Sequence, residues 1–295
     1  MTKWKLKSLK LKKKRRVLIA ISSLIIFLLG TGWLFQQYRL SAGRGLQKTL
    51  PPPALNMIYS RLGSRTQVLL PDGTQVWLNS GSKITYDNNF SDQLEREVTL
   101  TGEAYFDVAH RNKQPFIIHT TQVDIKVLGT AFNVRAYPGD KAMETTLIRG
   151  SIEVSFRANP SRKIILKPYE KMTVFNNNYQ MSSIREKKTI PDQTLPGPPE
   201  FSISHTRKDP LLDSGLVETS WMQGKLVFRK EDFGDLARQM ERKYAVIFHF
   251  KDHGLEQEKF TGIFINETLE KALNALKIAK PFHYRMEDGQ VFLYR

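Results

Sequence analysis

Cysteine is absent from the 295 residues. That excludes a thiol nucleophile, a cysteine-ligated zinc site, an iron–sulfur cluster, a disulfide framework and a lipidated N-terminal cysteine. The H-E-x-x-H metal motif, the G-x-S-x-G nucleophile elbow and the G-x-x-x-x-G-K-[ST] phosphate loop are missing as well. Histidine is sparse, and of the six only His249 and His253 stand four apart. Their surroundings read as a strand end and a turn beside Gly254, whereas metal-binding pairs at that spacing need a helix. Glu103, Tyr105 and Asp107 alternate on one face of a strand, and two carboxylates there raise the question of an acid and base pair. A solvated polar strand face is the commoner arrangement, so neither an enzyme nor a cofactor is expected.

Acidic residues are also absent from positions 1 to 16, which hold nine Lys or Arg of a chain whose formal net charge is +16. With so much of the excess in one tail, a basic nucleic-acid-binding face is disfavoured and no direct nucleic-acid contact is expected. Behind the tail, residues 17 to 35 (VLIAISSLIIFLLGTGWLF) carry no charge. Nineteen residues of helix span about the hydrocarbon thickness of a bilayer. The apolar contacts with lipid would come from Val17, Leu18, Ile19, Leu24, Ile25, Ile26, Phe27, Leu28, Leu29, Trp33, Leu34 and Phe35. A cleaved signal peptide is the competing reading, but the exit QQYRLSAGRG has no clear small-x-small site. Nine cations before the helix against Arg39 and Arg44 soon after it keep the N-terminus cytoplasmic. The expectation is a single-pass inner-membrane anchor with most of the chain in the periplasm.

Overall, 40% of residues are hydrophobic and 25% charged, a composition that supports a folded core. Residues 36 to 62, with Pro51, Pro52 and Pro53, read as a spacer. From 63 to 175 apolar residues alternate with polar ones, as at Leu100, Ala104, Phe106 and Val108, or Phe132, Val134 and Ala136. Turn residues fall between the runs, at Pro71-Asp72-Gly73, Thr101-Gly102 and Pro138-Gly139-Asp140. This predicts an all-β sandwich or roll, with Gly73, Gly81, Gly102, Gly129 and Gly150 at turns and Phe106, Phe132 and Val154 in the core. Residues 176 to 219, with Pro196 to Pro199, read as a linker. Residues 220 to 295 mix both periods in the order β-α-β-β-α-β-β, predicting a small α+β domain in which two helices cover one face of a sheet and Asn266 caps the second helix.

The stretch VLLPDGTQVWLNSGSKITYDNNF, followed by REVTLTGEAYFDVAH, PFIIHT, VDIKVLGTAFNVRAY, TLIRGSIEV and LKPYEKMTV, resembles the periplasmic domain of the FecR family of anti-sigma regulators. ETSWMQGKLVFRKEDFGDLARQMERKYAVIFHF through FTGIFINETLEKALNALK resembles the C-terminal domain that accompanies it in the Bacteroidetes branch, which is similar to the short N-terminal domain of secretins and TonB-dependent receptors. The resemblance implies a relay: a cargo-loaded TonB-dependent outer-membrane receptor presents a periplasmic signalling domain, and the FecR-like protein controls an extracytoplasmic-function sigma factor. Family members carry a longer helical cytoplasmic segment before the span, whereas sixteen residues precede Val17 here. Trp77 and Trp221 are candidate partner-binding aromatics. The alternative is a membrane-anchored periplasmic glycan-binding or envelope-assembly module without sigma contact.

Overall fold

The computed structural model describes residues 27–39, 55–176, 200–206 and 215–295. The chain divides into two compact units, Met1–Pro53 and Ala54–Arg295. In the first, residues 27–39 are helical and Phe27, Leu28, Leu29, Trp33, Leu34 and Phe35 are all exposed. Val17, Leu18, Ile19, Leu24, Ile25 and Ile26 lie outside the described residues. Among the described residues no helix is long and apolar enough to cross a membrane.

The second unit begins with an all-β part. Its strands are β1 (Leu55–Tyr59), β2 (Thr66–Leu69), β3 (Gln75–Leu78), β4 (Lys83–Asp87), β5 (Arg96–Asp107), β6 (Phe116–His119), β7 (Val123–Val127), β8 (Ala131–Ala136), β9 (Ala142–Arg149), β10 (Ile152–Phe156), β11 (Asn159–Leu166), β12 (Glu170–Phe175) and β13 (Phe201–His205). They form one curled sheet whose two halves share β5. The first half of β5 pairs with β4 and, in parallel, with β6, while its second half pairs with β3 and β8. The switch falls at Gly102, where φ is +106° and a Cβ would lie 2.5 Å from the Ser82 hydroxyl. The turn expected at Thr101-Gly102 is therefore a corner inside one continuous strand, the place where glycine is tolerated in a strand interior.

The alternating residues close a core between the halves. Val76, Leu78, Phe106, Val123, Phe132, Val134, Val154 and Phe156 are fully shielded from solvent, and Phe106 stacks on Phe132 with ring centroids 5.3 Å apart. Two strands lie where the sequence suggests none. β1 occupies the end of the presumed spacer; it carries apolar residues on both faces, with Leu55, Met57 and Tyr59 exposed, so its period of two is masked. β13 lies in the presumed linker and pairs with β12; only Phe201 packs on the core, against Phe156, and the rest of the strand is exposed.

The C-terminal part contains β14 (Lys225–Asp232), α1 (Phe233–Tyr244), β15 (Ile247–Phe250), the short α2 (His253–Glu256), β16 (Lys259–Ile265), α3 (Leu269–Ala279), β17 (His283–Glu287) and β18 (Gln290–Tyr294). The expected order holds with α2 added. The expected single sheet is in fact two: antiparallel β14–β16, and β15–β18–β17 with β15 parallel to β18. Phe233, Leu236, Ala237 and Met240 of α1 and Ala272, Leu273 and Leu276 of α3 share one apolar cluster with residues of both sheets. Asn266 does not cap α3. It takes a left-handed conformation with φ +53°, and Thr268 accepts the hydrogen bond from the Lys271 N–H.

Candidate functional site

Strand alternation sends the side chains that flank the core residues of β5, β8, β9 and β12 to the opposite face. Glu103 lies across from Arg135, and Arg135 from Glu144, while Asn133 and Lys171 both pair with Thr146. This face is not solvated. Residues 217–223, β14 and α1 cover it, leaving a cleft of about 550 Å³ lined by charged side chains of both parts.

Glu103 is thus buried rather than exposed, and accepts hydrogen bonds from the Asn79 amide at 2.8 Å and the Asn133 amide at 3.0 Å. Burial pushes its carboxyl above the usual range, against the opposing pull of Arg135. Tyr105 and Asp107 share its strand face but not its surroundings. Tyr105 packs edge-on against half-exposed Trp77, centroids 5.4 Å apart, and Asp107 pairs with Arg149 at the surface.

Asp140 forms the centre of the junction. It meets Arg135 of β8 at 2.9 Å and Arg242 of α1 at 3.0 Å. Burial alone would raise its carboxyl, but Arg135 and Arg242 outweigh burial and hold it below the ordinary value. Burial likewise disfavours the Arg135 cation, yet Asp140 and Glu103 overcome that and keep it above its ordinary value. The Arg242 guanidinium also lies 3.9 Å from the Tyr137 ring centroid, a cation–π contact. On one side Lys141 reaches Asp232 at 2.7 Å and Asp235 at 2.6 Å. On the other, Lys171 bridges Glu144 at 3.4 Å and Glu218 at 3.3 Å. Arg65 donates to the carbonyls of Trp221 and Met222 at 2.7 and 2.8 Å, and the Gly63 N–H donates to the Arg242 carbonyl at 2.8 Å.

Of the two tryptophans singled out from the sequence, Trp221 lies inside this junction, its indole N–H donating to the Asn133 side chain at 3.1 Å. Trp77 stays outside it. His249 bonds Gln290 and stacks on Phe292, and His253 is exposed beside Glu256. Among the described residues no three His, Asp or Glu side chains are placed to hold a metal ion. Asn133, Arg135, Lys141, Arg238 and Arg242 carry no sequence signal of a site, and Asp140 reads only as part of the Pro138-Gly139-Asp140 turn. Alternation marks Asn133 and Arg135 as sharing a face, and helical spacing puts Arg238 and Arg242 together on α1, but neither pattern tells that the two faces meet.

Residues 57–153 match the family model described as FecR protein, and residues 225–293 match that described as FecR, C-terminal. A crystal structure at 1.65 Å of a candidate anti-sigma factor from Parabacteroides distasonis ATCC 8503 is similar at 30% identity and a TM-score of 0.66, over 81% of this chain and 99% of that one. A second crystal structure described in the same words, at 2.50 Å, is similar at the same identity and TM-score over 82% and 99%.

The chain belongs to the FecR family.

It is thereby assigned to the anti-sigma regulators. No curated protein matches it. Both halves of the FecR junction fall inside the matched regions: Asn133, Arg135 and Asp140 in the first, Arg238 and Arg242 in the second. Trp221 and Glu218 lie in the segment between them.

Proposed function

We propose that this FecR-family chain is a single-pass inner-membrane relay. It couples a cargo-loaded TonB-dependent outer-membrane receptor to an extracytoplasmic-function sigma factor. The anchor and its orientation rest on the charge-free run of residues 17 to 35 behind nine cations.

The observation that carries the docking part is the edge structure of the C-terminal sheet. Among the described residues β17 pairs only with β18, so its other edge leaves a row of backbone N–H and C=O groups open; on β15 that edge is partly taken, because the Phe248 N–H donates to the Glu241 side chain at 2.8 Å. An extended segment of the receptor's periplasmic signalling domain adds along β17 as a further strand, with exposed Met286 beside it.

A photo-crosslinker at Met286 of the full-length chain in membranes tests this. The expected product is an adduct with the receptor that forms when cargo is present and is absent when the crosslinker replaces Ile165 on β11. Equal crosslinking from both positions, or none from Met286 under cargo, would overturn the docking site. Sigma-dependent transcription that is unchanged when residues 1 to 16 are removed would overturn the cytoplasmic contact.

A further inference from the structure

The β part and the C-terminal part each close their own apolar core. The cluster around Phe106, Phe132 and Phe156 and the cluster around Phe233, Leu236 and Leu273 share no residue. What crosses between them is mostly polar: Asp140 with Arg242, Lys141 with Asp232 and Asp235, Lys171 with Glu218, Asn133 with Trp221, and Arg65 with two carbonyls, beside the Arg242 contact with the Tyr137 ring and the cleft-lining Val227. A fixed domain pair buries a common apolar surface, whereas polar junctions of this kind resemble transient interfaces.

Separating buried charges is normally costly because each is left without a counterion. Here four of the charges have second partners within their own part, while Arg242 and Glu218 exchange theirs for water when the parts separate. Asp140 keeps Arg135, Lys171 keeps Glu144, Asp232 keeps Lys259 at 3.2 Å, and Asp235 keeps Arg238. The junction is therefore built to open without stranding these charges.

We propose that it is an electrostatic latch with a docked and an undocked state, and that undocking of the C-terminal part is the conformational step that carries the signal. The second half of this statement rests on the relay reading above; the first half does not.

The chain has no cysteine, so paired labels are unambiguous. Nitroxides at Leu94→Cys and Ile278→Cys, positions 90% and 87% exposed, report the separation of the two parts in the full-length protein by electron–electron resonance. One distance is expected at low salt. A second population is expected to grow as NaCl rises from about 0.05 to about 1 M, because screening weakens the half-exposed Lys141 pairs of the junction. Lys141→Glu with Arg242→Glu should raise that population about tenfold, and Lys141→Gln should shift it less in the same direction. A distribution indifferent to salt in the unsubstituted junction overturns the latch, whatever the variants do.

The signalling half has its own test. A Cβ at Gly63 would lie 3.6 Å from that of Ala245, within disulfide range. Gly63→Cys with Ala245→Cys should therefore staple the docked state and abolish cargo-dependent sigma activity, and reducing the disulfide of the same chain should restore it. A stapled chain that still responds overturns the signalling role and leaves the latch and the family role standing.

Discussion

The Asp72 carboxylate meets the Arg96 guanidinium at 2.6 Å where both side chains are wholly shielded from solvent. Arg96 also donates to the carbonyls of Ala109 and Gln114, and Asp72 accepts from the Thr74 N–H and hydroxyl. Every polar atom of the pair thus closes the Pro71-Asp72-Gly73 turn onto the start of β5. Arg96→Leu leaves Asp72 buried and unpaired, and should cost about 3–5 kcal/mol in denaturant unfolding. Arg96→Lys keeps the charge but loses the fork and should fall between. A loss under about 1 kcal/mol for Arg96→Leu would show that water reaches the turn.

Gly102 and Gly139 separate two reasons for a glycine. Both have positive φ, +106° and +86°. A Cβ at Gly102 would meet Ser82 atoms at 2.5 and 2.6 Å, whereas nothing lies within 4 Å of one at Gly139. Gly139→Ala should cost only the strain of a left-handed residue, about 1–2 kcal/mol. Gly102→Ala adds the clash and should cost about 3 kcal/mol or more. Equal losses in urea unfolding would mean that the β5 corner can open to admit a side chain.

These contrasts mark how far the sequence could be read. The alternation around Phe106, Phe132 and Val154 predicts the β core because one buried face imposes period two, and the spacing of Phe233, Leu236, Ala237 and Met240 predicts α1 in the same way. β1 and β13 are hidden because their pairing comes from neighbours far along the chain, Lys83–Asp87 and Glu170–Val174, and little of either strand is buried. The junction was not legible for a related reason. Glu103 on an outward strand face reads as solvated, whereas in the folded chain it is buried in a cleft that residues 217–223 and α1 help to line. Local pattern records which face a side chain takes; it does not record what covers that face.

Trp221 and Asn133 are joined by one hydrogen bond across the junction, and the Asn133 amide in turn donates a hydrogen bond to Glu103. Trp221→Phe keeps the ring and removes the donor. The expected loss is about 0.5–1.5 kcal/mol of docking free energy, read from the docked fraction of the spin-labelled chain. In a double-mutant cycle with Asn133→Ala the two losses should not add. Additive losses would show that Trp221 acts through packing alone.

The junction's two kinds of carboxylate predict a stability profile with limbs of opposite slope. Glu103 and Glu231, a β14 residue that lines the cleft and accepts from the Gln239 amide at 2.7 Å, have carboxyls raised above 4.5, chiefly by burial, so the folded chain holds these protons longer than the unfolded one does. Their contribution to stability is present below about pH 4.5 and is lost as pH rises through the raised values. Asp140 runs the other way. Its carboxyl is held below 3.8 by Arg135 and Arg242, which outweigh burial, so its contribution is present above that value and is lost as pH falls through the folded value. Thermal unfolding followed from neutral pH downward should therefore show Glu103→Gln flattening the upper limb and Asp140→Asn flattening the acid limb, each leaving the other limb in place. An Asp140→Asn chain whose acid limb falls as steeply as the parent's would remove Asp140 from the charges that hold the junction.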